Sequence, residues 1–125
     1  MVEKNSFEIE ISEIDFRLIL NVKKIREHQG ISQMELSQSI GLSSGFIGKV
    51  EKLDNEAKYN IRHLPLLVKA LNLKSIGDLF PQDEILNDLV RIKIKKAFHI
   101  KSDGSLSKNR FDYQVLEIKS LKKDR

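Results

Sequence analysis

The chain has 125 residues, 40% of them hydrophobic and 32% charged, with a net charge of +4 and a pI near 9.3. That length fits one small domain with a modest extension, and the hydrophobic share suffices for a compact core. There is no cysteine, which excludes a disulfide framework and a thiolate metal site. Apolar runs such as 18–20 and 64–68 are too short to span a bilayer. The N-terminus lacks the basic-then-apolar layout of a secretory leader, so a cytoplasmic protein with no membrane partner is expected. Charge is unevenly placed: residues 1–14 carry −3, residues 15–81 carry +3 and residues 82–125 carry +4. The basic segments suit a polyanion; the acidic arm does not.

In chain order, Phe7, Ile9 and Ile11 alternate with Glu8 and Glu10, which predicts a short strand within an N-terminal arm, residues 1–14. Ser12 or Asp15 can cap a helix reaching about Gln29, with Leu18, Val22 and Ile25 on one face, His28 near its end and Gly30 as its stop. Ser32 is an N-cap for the next helix, and Glu35 three residues on completes a capping box. Ser37 is a small residue suited to a close helix crossing, and Gly41 supplies a turn with positive φ. Leu36, Ile40, Leu42, Ile47 and Val50 are the apolar positions that lock the crossing pair onto a core. A helix over 43–53 follows. Its Gly45 and Gly48, read as helix-interior positions, each cost about 0.8–1 kcal/mol relative to Ala, so a close approach by DNA or a partner protein is expected to offset them. Asn60 can cap a fourth helix to Leu71, with Pro65 tolerated only near its start. Ser75 with Asp78 repeats the capping-box spacing for a short fifth helix that Pro81 ends. These readings make residues 15–81 a five-helix domain.

The pattern then changes. Val90, Ile92 and Ile94 alternate with Arg91, Lys93 and Lys95, and Phe111, Tyr113 and Val115 alternate with Asp112 and Gln114. With Asp103-Gly104 between them, these runs predict a β-hairpin from about 89 to 119, with a bulge where alternation breaks at Val115–Leu116. The fold class expected is mainly α: a five-helix domain, a short N-terminal strand and a hairpin extension over 82–125 that serves as a candidate dimerisation element. A lone hairpin is marginal in water, so its apolar face needs cover, from the helical domain, the N-terminal strand or a second protomer.

The stretch 25–37, IREHQGISQMELS, resembles the "LREEKGLSQEELA" pattern of the lambda-repressor-like, or XRE, helix-turn-helix regulators. Residues 47–51, IGKVE, resemble that family's "ISRIE", and residues 64–80 resemble "LLKLAKALGVSLDELF". The likeness covers about residues 16–81, and SSGFIGKVE followed by AKYNIRHL is similar to bacterial regulators of the Bacteroidetes type. It implies a sequence-specific transcriptional regulator of the repressor kind, which binds double-stranded DNA as a homodimer and inserts the helix at 43–53 into the major groove. Ser44, Gly45, Phe46 and Lys49 then occupy base-contacting positions. Gln33, Ser43, Lys52 and Lys58 are phosphate contacts. Ser37, Gly41, Ile47, Val50 and Glu51 are structural, with Glu51 paired to a basic residue such as Arg26.

Family recognition helices carry Arg, Gln, Asn or Thr at the exposed positions, whereas this one offers mainly Ser and Gly. That departure leaves open an alternative, a protein-interaction module (antitoxin-like or a regulatory subunit) with weak or lost DNA binding. An enzyme is not expected: His28, His63 and His99 lie in separate elements, with no paired carboxylate motif to join them. Nothing in the residues implies a cofactor, a metal or a small-molecule ligand.

Overall fold

The computed structural model describes residues 5–83, 85 and 87–121. Two compact units emerge, one of residues 12–86 and one of residues 1–11 with 87–125. Elements run β1 (Ser6–Ser12), α1 (Glu13–His28), α2 (Gln33–Ser39), α3 (Phe46–Glu51), α4 (His63–Ala70), a 3-10 turn (Ile76–Leu79), β2 (Leu89–Ile100) and β3 (Leu106–Ser120).

Local chemistry sets most boundaries in the helical unit. Ser12 Oγ accepts the Asp15 N–H at 3.1 Å, which satisfies one of the donors a helix start leaves orphaned. Acidic Glu13 and Asp15 sit in the first turn of α1, with Arg26 and His28 in the last, as the helix dipole favours. Gly30 then takes φ +70° and reverses the chain. Ser32 and Glu35 form the reciprocal capping box at α2: the Glu35 N–H donates to Ser32 Oγ at 3.0 Å, and the Ser32 N–H donates to Glu35 Oε1 at 3.1 Å. Hydrogen bonding from the Ser32 backbone first, and its side chain second, holds the Glu35 carboxyl below its ordinary range. Phe16, Ile19, Val22, Leu36, Ile47, Val50, Leu67, Leu71 and Leu79 are fully buried and form the core of this unit.

The second unit is a three-stranded sheet in the order β1-β2-β3. β2 and β3 are antiparallel, and the Lys96 N–H donates to Asn5 O at one end of β1 while Glu10 meets Arg91 near the other, so β1 is antiparallel to β2 as well. Register moves from Lys93↔Glu117 to Ile94↔Val115, which leaves Leu116 as the extra residue of a bulge at the expected place. The 101–105 loop closes with Lys101 N–H donating to Ser105 O at 2.7 Å and Gly104 at φ +87°.

These elements correct the expectation of a mainly α, five-helix fold with a hairpin appended. Among the described residues there are four α-helices, of 16, 7, 6 and 8 residues, against strands of 7, 12 and 15. The expected fifth helix is a single 3-10 turn. Asp78 accepts the Lys74 and Ser75 N–H groups at its start, but Phe80, before Pro81, is already extended at φ −100°, ψ 150°, so no second turn fits. The expected N-terminal strand is added at the edge of the hairpin and makes β2 the central strand of one sheet. Residues 1–4 of that arm lie outside the described residues.

Candidate nucleic-acid interface

α2 and α3 form the helix-turn-helix. Gly41 at φ +75° turns the chain, and the Leu42 N–H donates to Ser37 O at 3.0 Å. Ser37, fully buried, does more than stay small. Its Oγ donates to Gln33 O at 2.8 Å and accepts the Ile47 N–H at 3.0 Å, so α2 supplies the side-chain cap that α3 lacks locally. Ser37→Leu should therefore lose that bond and overpack the crossing, a destabilisation of about 1–3 kcal/mol in urea unfolding. Unchanged stability would place the crossing elsewhere.

A buried ionic network fixes the angle at which α3 leaves the core. Arg26 Nε and Nη2 donate to Glu51 Oε2 and Oε1 at 2.9 and 2.8 Å, a bidentate pair. Arg26 Nη1 donates to Ile31 O at 2.8 Å, and Gln33 Nε2 donates to Glu51 Oε1 at 3.0 Å. One carboxylate thus ties α1, the loop after it and α2 to α3. Burial opposes the charge on Arg26, but the hydrogen bonds and negative charge of Glu51 more than offset it and raise the guanidinium above its ordinary value. Gly48 has its reason here as well: a Cβ at that position would lie 3.1 Å from Gln33 Oε1. Close approach of α2, within the chain itself, accounts for this glycine. Gly45 is the N-cap of α3 and not an interior residue, so the expected penalty for two helical glycines falls on one.

α3 is shorter than the expected 43–53. Ser43 O accepts the Phe46 N–H in a turn that precedes it, and buried Leu53 takes φ +63° just after its end. Asn55 Nδ2 donates to Lys49 O at 2.9 Å and so satisfies one of the terminal carbonyls. Phe46, half-buried, sets its ring edge-on to His63 at 4.9 Å and near Tyr59 at 6.1 Å. Tyr59 is buried, and its hydroxyl has no hydrogen-bond partner among the described residues. Burial first, then the Glu51 charge, push that phenol well above its ordinary range, with Arg26 opposing.

His63 joins this aromatic cluster to α4. Its Nδ1 accepts the Asn60 N–H at 3.0 Å, and Asn60 Oδ1 accepts the His63 N–H at 3.3 Å. Asn60 thus serves the start of α4 across a tight turn at Ile61–Arg62, with Pro65 in the first helical turn. Burial, and secondarily the charge of Arg62, hold the imidazole below its ordinary value. The folded state therefore binds fewer protons than the unfolded chain, and stability is lost as pH falls below about 6.5 through the lowered folded value. Melting of the wild type between pH 7.5 and 5 should show a drop that His63→Phe reduces; equal drops in both proteins would remove His63 as the cause.

What remains outward is simple. Ser43, Ser44, Gly45, Lys49 and Lys52 are exposed, with 45, 49 and 52 at the spacing of one helical stripe. Gln33 is exposed but has one amide hydrogen committed to Glu51. Lys58 is half-buried, and its Nζ donates to Asn55 O at 3.4 Å. Among the described residues no group of acidic and histidine side chains could hold a metal, and no helix is long and apolar enough to cross a membrane.

No protein-family model matches the chain. No curated protein matches it either. The chain is similar to several solved structures over part of its length. A variant of the restriction-modification controller protein C.Esp1396I is 24% identical, at a TM-score of 0.45, over 54% of this chain and 87% of that one. The hypothetical transcription factor NHTF from Neisseria is 23% identical at 0.47, over 56% of this chain and 76% of that one. An HTH_3 family transcriptional regulator from Vibrio cholerae is 21% identical at 0.45, over 72% of this chain and 53% of that one. What the outward surface binds follows from its own side chains.

Proposed function

We propose that the chain is a sequence-specific DNA-binding transcription regulator of the repressor kind. Its α3, with the 43–45 turn before it, enters the major groove as one half of a dimer. The observation that supports this best is the division of labour around α3: Ser37, Glu51, Ile47 and Val50 are spent on the scaffold, while Ser43, Ser44, Gly45, Lys49 and Lys52 are left exposed. Ser44, Gly45 and Lys49 are the proposed base-facing residues, and Ser43, Lys52, Lys58 and Gln33 the backbone contacts. The ring of Phe46 packs on His63 and Tyr59, which makes scaffold its main role. With so few long donors on this surface, DNA shape carries part of the specificity.

Backbone contacts predict a simple pattern. Lys52→Ala should weaken every duplex by a similar factor, and the slope of log affinity against log salt should become shallower by about 0.9. An unchanged slope would take Lys52 off the backbone. Absence of any binding at moderate salt would favour the alternative, a protein-interaction module.

A further inference from the structure

The outer edge of β3 has no partner strand among the described residues, although β3 is the longest strand in the chain at 15 residues. An open edge is a template for another strand, and its own side chains decide which strand fits. Leu121 N–H donates to Leu89 O at 2.9 Å, and the register from Val90↔Ser120 to Lys93↔Glu117 is regular. Alternation then fixes which backbone groups point where. Glu117 and Lys119 direct their N–H and C=O toward β2, whereas Ile118 and Ser120 direct theirs outward, to the free edge.

We infer that a second copy of this chain occupies this edge, β3 against β3 in antiparallel sense about Ile118. A two-fold axis there pairs Ile118 with its mate in a narrow pair that exchanges two backbone hydrogen bonds. The neighbours on either side are what commits the edge to itself. Glu117 falls opposite Lys119 of the second copy and Lys119 opposite its Glu117, so the symmetry creates two opposite-charge cross-strand contacts on the polar face. Both side chains are more than half exposed; within one strand Lys119 Nζ lies 3.3 Å from Glu117 Oε1, a solvated pair that the cross-strand contacts extend into a four-charge cluster. On the other face Ile118 and Val115, each 37% exposed, gain apolar cover. The opposite edge of the sheet lacks this property: Asn5 O accepts the Lys96 N–H, so by alternation Glu8 and Glu10 hold the outward backbone groups of β1, and the same operation about Glu8 would set that carboxylate against its own mate, like against like. The result is a continuous six-stranded sheet. It supplies the two-fold pairing that the proposed regulator needs and rests on that reading only for its use on DNA.

The test is sedimentation of the full chain without DNA, over a concentration series, so that failure to bind DNA has no bearing on it. Wild type should dimerise. Glu117→Lys, and separately Lys119→Glu, should each weaken self-association by at least about tenfold, because two attractive contacts become two repulsive ones. A mixture of the two variants should associate about as tightly as wild type, since each then meets its opposite charge. Ile118→Pro, which removes an outward N–H and no bond to β2, should also weaken the dimer. A wild type that stays monomeric, a dimer indifferent to these changes, or a mixture no tighter than the separate variants would overturn the inference.

Discussion

Glu51→Ala should cost about 3–5 kcal/mol, because it leaves the Arg26 guanidinium buried without its counter-charge. A small domain holds only about 5–15 kcal/mol in total, so this one change should remove a large share of the stability. The Arg26 and Glu51 side chains are 9% and 2% exposed, and three hydrogen bonds converge on that carboxylate. Water therefore does little to replace what is lost. Replacing both partners with apolar residues, Arg26→Met with Glu51→Leu, should recover most of the deficit, since no buried charge then remains. Urea unfolding of the single and double variants checks both statements. A loss below about 1 kcal/mol in Glu51→Ala would mean that the network is not what holds α3.

The second large effect falls on binding. Lys49 is the exposed residue of α3 with long reach, one turn after Gly45. Lys49→Ala should weaken the preferred site by about 1–3 kcal/mol and relax the preference at one position, with little change on unrelated DNA. Competition titrations on a matched and a randomised duplex separate the two. Equal weakening on both would move Lys49 from base reading to the phosphate backbone. Folding should be unaffected, which distinguishes this variant from Glu51→Ala.

Where a signal is local, the sequence predicts the structure well. Ser12, the Ser32–Glu35 box, Gly30 and Gly41 act within four residues of themselves, and the elements they bound appear where those residues stand. Alternation in the two strands of the hairpin, and its break at Val115–Leu116, likewise reports the pleat and the bulge directly. What escapes is what the fold brings together. Gly48 is explained by the carboxamide of Gln33, 15 positions away in sequence, and no local pattern carries that contact. The cluster of Phe46, Tyr59 and His63 joins α3 to the start of α4, and only the packed structure makes a unit of it. Asn55 reaches back to the end of α3 from a loop with no periodicity to flag it. The hairpin's need for cover makes β1 one candidate partner, but β1 and β2 flank the whole helical unit in sequence, so which cover is used, and in which register, is set by non-local contacts that neither strand announces.

At the outward surface the sequence and the structure agree on a paucity of hydrogen-bond donors, and that makes the DNA itself the decisive reagent. The measurement that bears most directly on dimeric, sequence-specific binding is selection of random-sequence duplexes by the purified full chain, repeated across a salt series. A dimeric regulator should enrich a two-fold-symmetric motif whose half-sites lie about one helical turn apart, bound more weakly as salt rises. Binding that selects no sequence, or no binding at moderate salt, would contradict that reading.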